Sequence, residues 1–272
     1  DFQFVDRNGR MVYASDIEYA GSRAAYASDP QESINYVAAH DNETLCDINQ
    51  YKLPVDTDMS DRVRVVNLAN SIVALAQGIP FFHAGQDMLR SKSFDSNSFD
   101  SGDWFNLLDF SYQTNGWARG LPPAWDNEAN WPYAGPLLAD PYMLPGSLDI
   151  RLAKSHLIEM LQIRKSIGLF RLATAEEVTR QLSFHNTGPD QVPGLLVMQI
   201  TGEEETVVVL INVTKEPHEF ALGGAAGFEL HWVQQESVDP VVRQSGFTSS
   251  TGAFSVPART TAVFVAWNQD PD

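Results

Sequence analysis

An adjacent histidine and aspartate, His40 and Asp41, are the side chains of this sequence best placed to do chemistry. They follow an apolar, partly β-branched run, residues 34–39, which predicts a buried strand. The pair would then lie just past the C-terminal end of that strand, which is where parallel barrels carry their catalytic groups. The alternative is that the two residues only form a turn and cap the next helix.

A second buried strand follows one helix later. Apolar residues recur at helical spacing over about residues 61–77, and Gly78 and Pro80 predict the end of that helix. Residues 79–84 then predict another buried strand. Because strand, helix and strand follow one another so closely, this part of the chain predicts a parallel sheet of the α/β class.

The long stretch after the second strand, residues 85–147, shows neither helix nor strand periodicity. Long loops of this kind are usually functional. Aromatic rings beside carboxylates and amides suit a carbohydrate, because rings stack on apolar sugar faces while polar groups bond the hydroxyls. The alternative is that the rings only pin the loop. The tryptophans concerned are Trp117, Trp125 and Trp131.

The rest of the chain changes from a helical to a β pattern. Residues 147–166 predict a second amphipathic helix, which Gly168 ends. Short β runs separated by polar or glycine-rich turns follow, and they predict an antiparallel β-sandwich. The sequence therefore predicts two domains, an α/β domain over residues 1–172 and an all-β domain over residues 173–272. The runs are residues 180–184, 194–200, 206–213, 218–222, 229–233, 253–256 and 260–267.

Composition narrows the class of partner. The 272 residues carry 18 Lys and Arg against 35 Asp and Glu, a net charge of -17, which disfavours nucleic acid and anionic membrane as partners. A neutral substrate such as a sugar polymer is unaffected by this charge. The single cysteine, Cys46, excludes an internal disulfide framework and is expected to pack in a core. The sequence shows neither an apolar run long enough for a membrane span nor the pattern of a signal peptide.

Several stretches resemble a known family. Residues 36–45, which contain His40, Asp41 and Asn42, resemble the seventh-strand motif of the α-amylase superfamily of glycoside hydrolases. Residues 78–85 resemble its eighth strand. The serine- and aspartate-rich loop is highly specific for the α-1,6 debranching branch, the pullulanases and limit dextrinases. The segments that resemble this branch are residues 89–93, 99–106, 120–123 and 127–132.

This resemblance implies a fold and a function. The fold is the C-terminal part of a (β/α)8 TIM barrel, with its last two strands and helices, followed by the antiparallel β-sandwich. The family's nucleophile and acid/base follow earlier strands, and nothing in residues 1–33 resembles either motif. The chain is therefore expected to be the C-terminal piece of a retaining glycosidase that debranches pullulan, limit dextrins or amylopectin. Its partners would be the α-glucan and the remainder of the same polypeptide, and the isolated piece is expected to be inactive.

The resemblance also implies roles for single residues. Asp41 matches the family's third carboxylate, the transition-state stabiliser. His40 would donate a hydrogen bond to a hydroxyl of the same sugar, and Asn42 would contact a neighbouring glucose. The side chains implied to bind or shape the donor-side subsites are Arg90, Asp100 and Asp103.

Some alternatives and departures accompany these roles. Arg90 and Asp100 are also able to form an ion pair that only holds the loop. His83 is expected to pack within the eighth strand rather than to contact substrate. Asp87 stands where many members of the superfamily have glutamate, and Ala129 stands where relatives commonly carry aspartate.

Other functional classes stay open at this level. A non-catalytic carbohydrate-binding or stabilising module fits a piece that lacks two catalytic carboxylates, and an isoamylase-type or glycogen-debranching relative is a further alternative. The resemblance implies no cofactor in this piece. Whether the complete enzyme binds calcium is left open, since the calcium sites of relatives often lie outside this piece. The family includes both secreted bacterial and plastid enzymes, so the localisation of this protein is left open.

Overall fold

The computed structural model of the chain describes residues 2–25 and 27–268. By residue contacts the chain divides into two compact units, called here the sheet unit and the loop unit. The sheet unit comprises residues 1–35, 74–79 and 159–272, and the loop unit comprises residues 36–73 and 80–158. The domain boundary near residue 172 stays a prediction.

The described residues form short strands and helices of very different lengths. The strands are β1 (Gln3–Val5), β2 (Met11–Tyr13), β3 (Glu18–Tyr19), β4 (Ser22–Arg23), β5 (Ile34–Asn35), β6 (Ile79–Pro80), β7 (Leu182–Phe184), β8 (Leu195–Thr201), β9 (Glu205–Asn212), β10 (His218–Ala221), β11 (Glu229–Leu230), β12 (Gly246–Thr248), β13 (Ala253–Val256) and β14 (Thr260–Trp267). The helices are α1 (Leu45–Lys52), α2 (Met59–Leu75), α3 (Gly102–Asn106), α4 (Ala124–Asn127), α5 (Trp131–Ala139), α6 (Ser147–Ser166), α7 (Ala175–Gln181) and α8 (Trp232–Gln235).

Two antiparallel sheets dominate the sheet unit. One has five strands in the order β11-β14-β9-β8-β7, and the other has three strands in the order β10-β13-β12. Side chains of both sheets share one hydrophobic cluster, and Phe254 of β13 meets Phe264 of β14 at a ring-centroid distance of 5.1 Å. The expected combination of helices with antiparallel sheets is therefore confirmed. The buried members of the cluster are Leu195, Val197, Val208, Leu210, Phe254, Val256, Ala262 and Phe264.

Two of the predicted strands are partly helical instead. The run 180–184 is a strand only from Leu182, because α7 extends to Gln181. This helix begins after Thr174, whose side chain accepts from the Glu177 amide while the Glu177 carboxylate accepts from the Thr174 amide. The run 229–233 ends as a strand at Leu230, because the His231 ring caps α8. Strands β1, β2, β3, β4 and β12 were not predicted.

The amphipathic helices are predicted well. α6 has the predicted bounds, Ser147–Ser166, and α2 is shifted by two residues from the predicted 61–77 to Met59–Leu75. Asp58 caps α2, since its carboxylate accepts from the Asp61 amide at 2.8 Å. One face of each helix contributes to the core of the loop unit, where the single cysteine is also buried. The members of that core are Ala38, Leu45, Cys46, Val63, Val66, Met88, Leu89, Ile150 and Ala153.

Both predicted buried strands are much shorter than expected. The runs 34–39 and 79–84 are reduced to β5 and β6, which pair with each other, and Ile34 is 58% exposed. The physical reason is that a strand persists only where a neighbour satisfies its backbone groups, and these two have only each other among the described residues.

The long segment 85–147 is not without structure, contrary to the prediction. It contains α3, α4 and α5, and short 3₁₀ turns at Gln86–Met88 and Ser98–Asp100. Phe94 and Trp117 lie at the centre of its own apolar cluster, with ring centroids 5.2 Å apart. Periodicity fails to reveal helices of four to nine residues because they span too few turns to show an apolar stripe.

No helix among the described residues combines the length and apolar character required to cross a membrane.

Candidate functional site

The His-Asp pair lies in the loop that joins β5 to α1. Thr44 caps α1, because its hydroxyl accepts from the Asp47 amide at 3.1 Å, so Asp41 is not the helix cap that the alternative requires. The Nδ1 atom of His40 lies 3.0 Å from Oδ1 of Asp41, and the two side chains are 85% and 76% exposed. Both groups are thus paired with each other and accessible to a ligand.

A depression of about 190 Å³ opens beside this pair within the loop unit. It brings together three of the residues predicted from the sequence, namely His40, Asp41 and Arg90. Carboxylate, imidazole, amide and hydroxyl groups therefore face one space, which suits a neutral polyhydroxylated ligand. The complete lining is His40, Asp41, His83, Arg90, Lys92, Asn97, Ser98, Phe99 and Asn106.

Asn42, Asp100 and Asp103 are not part of this lining. Asn42 has a left-handed backbone, with φ of 60°, and its carbonyl points to Lys92. Asp100 ends a short 3₁₀ turn and Asp103 lies in the first turn of α3, and both are exposed. Their predicted contact with substrate stays a prediction.

Arg90 is buried and uses its guanidinium to hold the backbone. Nη1 donates to the carbonyl of Ala84 at 3.1 Å, and Nη2 donates to the carbonyl of Asn106 at 2.9 Å. These bonds, and not an ion pair with Asp100, are what the structure gives Arg90. Gly85 makes them feasible, because it has φ of 90° and an added Cβ would lie 2.7 Å from the Arg90 side chain.

His83 is the partner of Arg90 on the side of the depression. The distance from Nη1 of Arg90 to Nε2 of His83 is 3.2 Å, and since a guanidinium only donates, Nε2 accepts and the ring is neutral. Burial, with the positive charges of Arg90, Lys92 and His40, lowers the pKa of His83 to about 4. His83 thus lines the depression, although the sequence predicts packing.

Sequence reasoning missed two buried charged residues, Asp47 and Lys92. The Asp47 carboxylate accepts from the Ser91 hydroxyl at 2.6 Å and from the amides of Lys92 at 2.7 Å and Phe94 at 3.3 Å. Burial raises the pKa of Asp47 to about 6, partly offset by these hydrogen bonds. For Asp47 the sequence offered one signal of burial, namely its position directly after the apolar residues Leu45 and Cys46.

The tryptophans of the segment 85–147 play different parts. Trp117 is buried in the apolar cluster, and Trp131 donates its indole N–H to the Pro122 carbonyl at 2.8 Å, so both pin the loop. Trp125 is exposed, and its ring meets Phe99 edge to face at 5.7 Å. Since Phe99 lines the depression, this pair places an aromatic surface beside it.

Two further observations complete the site. Asp87, one of the departures from the family pattern, accepts a hydrogen bond from the Tyr112 hydroxyl at 2.9 Å and so connects two parts of the loop segment. Within residues 2–25 and 27–268, no three His, Cys, Asp or Glu side chains are grouped to hold a metal ion.

The comparisons with known proteins agree with one another. The model of the family described as "Alpha-1,6-glucosidases, pullulanase-type, C-terminal" matches residues 112–267. The chain is 45% identical to the chloroplastic pullulanase 1 of Arabidopsis thaliana, over 97% of this chain and 29% of that protein. It is 33% identical to a pullulanase of Klebsiella pneumoniae, over 97% of this chain and 25% of that protein.

The fold agrees as well. The crystal structure of apo pullulanase from Klebsiella pneumoniae superposes with a TM-score of 0.93 at 32% identity, covering 100% of this chain and 30% of that one. These matches define the class as a family of glycoside hydrolases. The chain belongs to the pullulanase-type α-1,6-glucosidases and corresponds to their C-terminal region. It spans between a quarter and a third of the length of these relatives.

Proposed function

We propose that this chain is the C-terminal part of a debranching enzyme that hydrolyses α-1,6-glucosidic links of pullulan, limit dextrins or amylopectin with retention. The observation that carries the proposal is the exposed His40–Asp41 pair at the rim of a polar depression. The family supports the substrate class, and a Klebsiella pneumoniae pullulanase has been solved in complex with maltotriose.

The proposal includes a division of labour along the polypeptide. β5 and β6 with α2 and α6 are the last two strands and helices of a (β/α)8 barrel, and residues 173–272 form a β-sandwich. The nucleophile and the acid/base lie upstream, on the remainder of the same polypeptide. This chain supplies the third carboxylate and part of the substrate subsites.

Asp41 is the proposed transition-state stabiliser. The transition state of glycoside hydrolysis resembles an oxocarbenium ion, and hydrogen bonds to the sugar hydroxyls strengthen as it forms. A fixed carboxylate that accepts those bonds therefore binds the transition state better than the ground state. His40 bonds Asp41 through Nδ1, which leaves its other ring nitrogen for a sugar hydroxyl.

The donor-side subsites are assigned to the neighbouring loop. Asn42 contacts an adjacent glucose, while Asp100 and Asp103 present exposed carboxylates to further hydroxyls. Arg90 shapes the loop through the carbonyls of Ala84 and Asn106 instead of binding sugar directly. The exposed Phe99–Trp125 pair offers an apolar surface for the flat side of a glucose ring.

The test is Asp41→Asn in the complete polypeptide. The amide has nearly the same size but loses the negative charge that faces the developing cation, so kcat on pullulan should fall roughly 10²–10³-fold. The melting temperature should hold, because the carboxylate is exposed. Asp190→Asn, an exposed aspartate of the sheet unit, is the matched control and should leave kcat unchanged.

A near-normal kcat for Asp41→Asn would remove this residue from the mechanism. It would favour the reading of the chain as a binding or stabilising module. A loss of kcat with an equal loss of melting temperature would show a structural effect and would also contradict the proposed role.

A further inference from the structure

Lys92 is a buried cation to which no role has been given. Its side chain is 1% exposed and ranks among the largest fully buried side chains of the described residues. Burial lowers the pKa of its ammonium, which shows that the site costs the charge some of its hydration. A buried ammonium persists only where its donors find good acceptors.

The acceptors that Lys92 finds surround the candidate catalytic pair. Nζ donates to the Asn42 carbonyl at 2.8 Å and to the Ser98 hydroxyl at 3.0 Å, with a longer contact of 3.5 Å to the His40 carbonyl. Carbonyls of residues 40 and 42 stand on either side of Asp41 in the chain. One ammonium therefore holds the backbone both before and after the proposed transition-state stabiliser.

The loop has few other supports. Among the described residues, no turn or loop hydrogen bond between backbone groups involves residues 36–43. Asn42 also adopts φ of 60°, a conformation that costs free energy for a residue other than glycine. The hydrogen bond from Lys92 to its carbonyl stabilises that conformation.

Lys92 is itself held in place. Its amide donates to the Asp47 carboxylate at 2.7 Å, and the Ser91 hydroxyl donates to the same group at 2.6 Å. Asp47 belongs to α1, the helix that directly follows the loop. These contacts therefore connect α1, through Asp47 and Lys92, to Asn42 in the preceding loop. The position of the ammonium is fixed as a result.

We propose that Lys92 is a positioning residue that fixes the backbone on both sides of Asp41 and thereby aims its carboxylate at the substrate. This inference rests on the proposed role of Asp41. Catalytic groups must be held closely, since a misplacement of about 1 Å is able to cost roughly 100-fold in rate. Lys92 acts through the loop and does not touch the reacting atoms.

The first experiment is Lys92→Met in the complete polypeptide, assayed on pullulan. Methionine fills a similar volume but donates nothing to the loop carbonyls. kcat should fall roughly 10- to 100-fold, while KM changes far less, because the lost interaction orients a group that acts in the transition state. Lys52→Met, at an exposed lysine in the last turn of α1, is the matched control and should retain wild-type kcat.

The second experiment separates positioning from general stability by combining Lys92→Met with Asp41→Asn. If Lys92 acts through Asp41, it should have little further effect on kcat once the carboxylate is gone. An equal loss of kcat in both backgrounds would overturn the proposal, and so would an unchanged kcat in the single Lys92 variant. If Asp41→Asn alone is fully active, the proposed function fails at Asp41, whatever Lys92 does.

Limited proteolysis gives a readout independent of activity. Cleavage within residues 36–43 should be faster in Lys92→Met than in the wild type and the Lys52→Met control, because the loop loses the ammonium that holds it. Unchanged cleavage in this segment would overturn the proposal. Should Lys92→Met fail to fold, Lys92→Gln, which keeps an N–H donor without the charge, enters the same double-mutant cycle and proteolysis measurement, with changes in the same direction but smaller.

Discussion

At the scale of residues, the Asp41 carboxylate of the site is accessible, whereas the cations of the site are hydrogen-bonded to the backbone. Arg90 and Lys92 both line the depression beside Asp41, yet both direct donors at backbone carbonyls. A cation that is already hydrogen-bonded by the protein is a poor substrate ligand but a good fixed charge. This arrangement is the one that the proposed function requires, in which the loop is held while Asp41 and His40 contact the sugar.

The neutral ring of His83 makes the protein sensitive to acid. Its folded pKa is about 4, below the ordinary value of 6.5, so protonation favours the unfolded chain. The stability linked to His83 is present above about pH 6.5 and is lost as the pH falls toward 4. His83→Gln keeps an acceptor for Arg90 and removes this loss, which is about 1–2 kcal/mol after allowing for partial exposure.

The measurement is the melting temperature of the wild type and of His83→Gln between pH 4 and 7.5, in the complete polypeptide. The melting temperature of the variant should rise relative to that of the wild type as the pH falls, and the two melting temperatures should differ least at pH 7.5. Curves that stay parallel over this range would show that His83 does not titrate as described.

At the scale of elements, the C-terminal end of α2 depends on a single arginine. Arg164 donates to the carbonyls of Ala74 at 3.0 Å, Ala76 at 2.6 Å and Gly78 at 2.8 Å. The last carbonyls of a helix have no partner within the helix, and a cation there also complements the helix dipole. Gly78 allows the sharp exit, since its φ is 89° and an added Cβ would lie 2.8 Å from the Pro30 carbonyl.

Arg164→Met should therefore destabilise the protein by about 2–4 kcal/mol, because one buried and two partly buried carbonyls lose a charged donor. The effect is measured as a lower melting temperature, with faster hydrogen exchange at residues 72–78. Arg151→Met, at an exposed arginine on the same helix, is the matched control. Equal melting temperatures for the two variants would contradict the capping role.

At the scale of the whole molecule, the chain is a fraction of its relatives, with 29% of the Arabidopsis protein and 25% of the Klebsiella protein covered. Apolar side chains near the ends of β5 and β6 are exposed, and Tyr36 and Phe81 meet edge to face at 6.0 Å. Exposed apolar groups of this kind are consistent with the proposal that the remainder of a barrel covers this surface.

The isolated chain of 272 residues should not hydrolyse pullulan. The proposed function gives it only the transition-state stabiliser, whereas a retaining glycosidase also requires a nucleophile and an acid about 5 Å from each other. Reducing-sugar release by the purified chain is the measurement, with the complete polypeptide as the positive control. Activity that co-purifies with the chain and is abolished by Asp41→Asn would contradict the division of labour.

The sequence by itself determined the features that rest on local pattern. The amphipathic stripes gave α2 and α6 nearly to the residue, because an apolar face repeats over several turns. The alternating runs located most strands of the two sheets, and the His40–Asp41 pair was evident from its setting after an apolar run.

Only the tertiary structure decided what depends on partners distant in the chain. The runs 34–39 and 79–84 are apolar enough for strands, but strand length is set by the neighbours that are present, so β5 and β6 are short. Arg90 donates to the carbonyls of Ala84 and Asn106 rather than forming the ion pair with Asp100 that the sequence left open, because unpaired buried acceptors are costly. The burial of Lys92 and Asp47 was decided by the fold for the same reason: a charge is buried only where the fold assembles its partners.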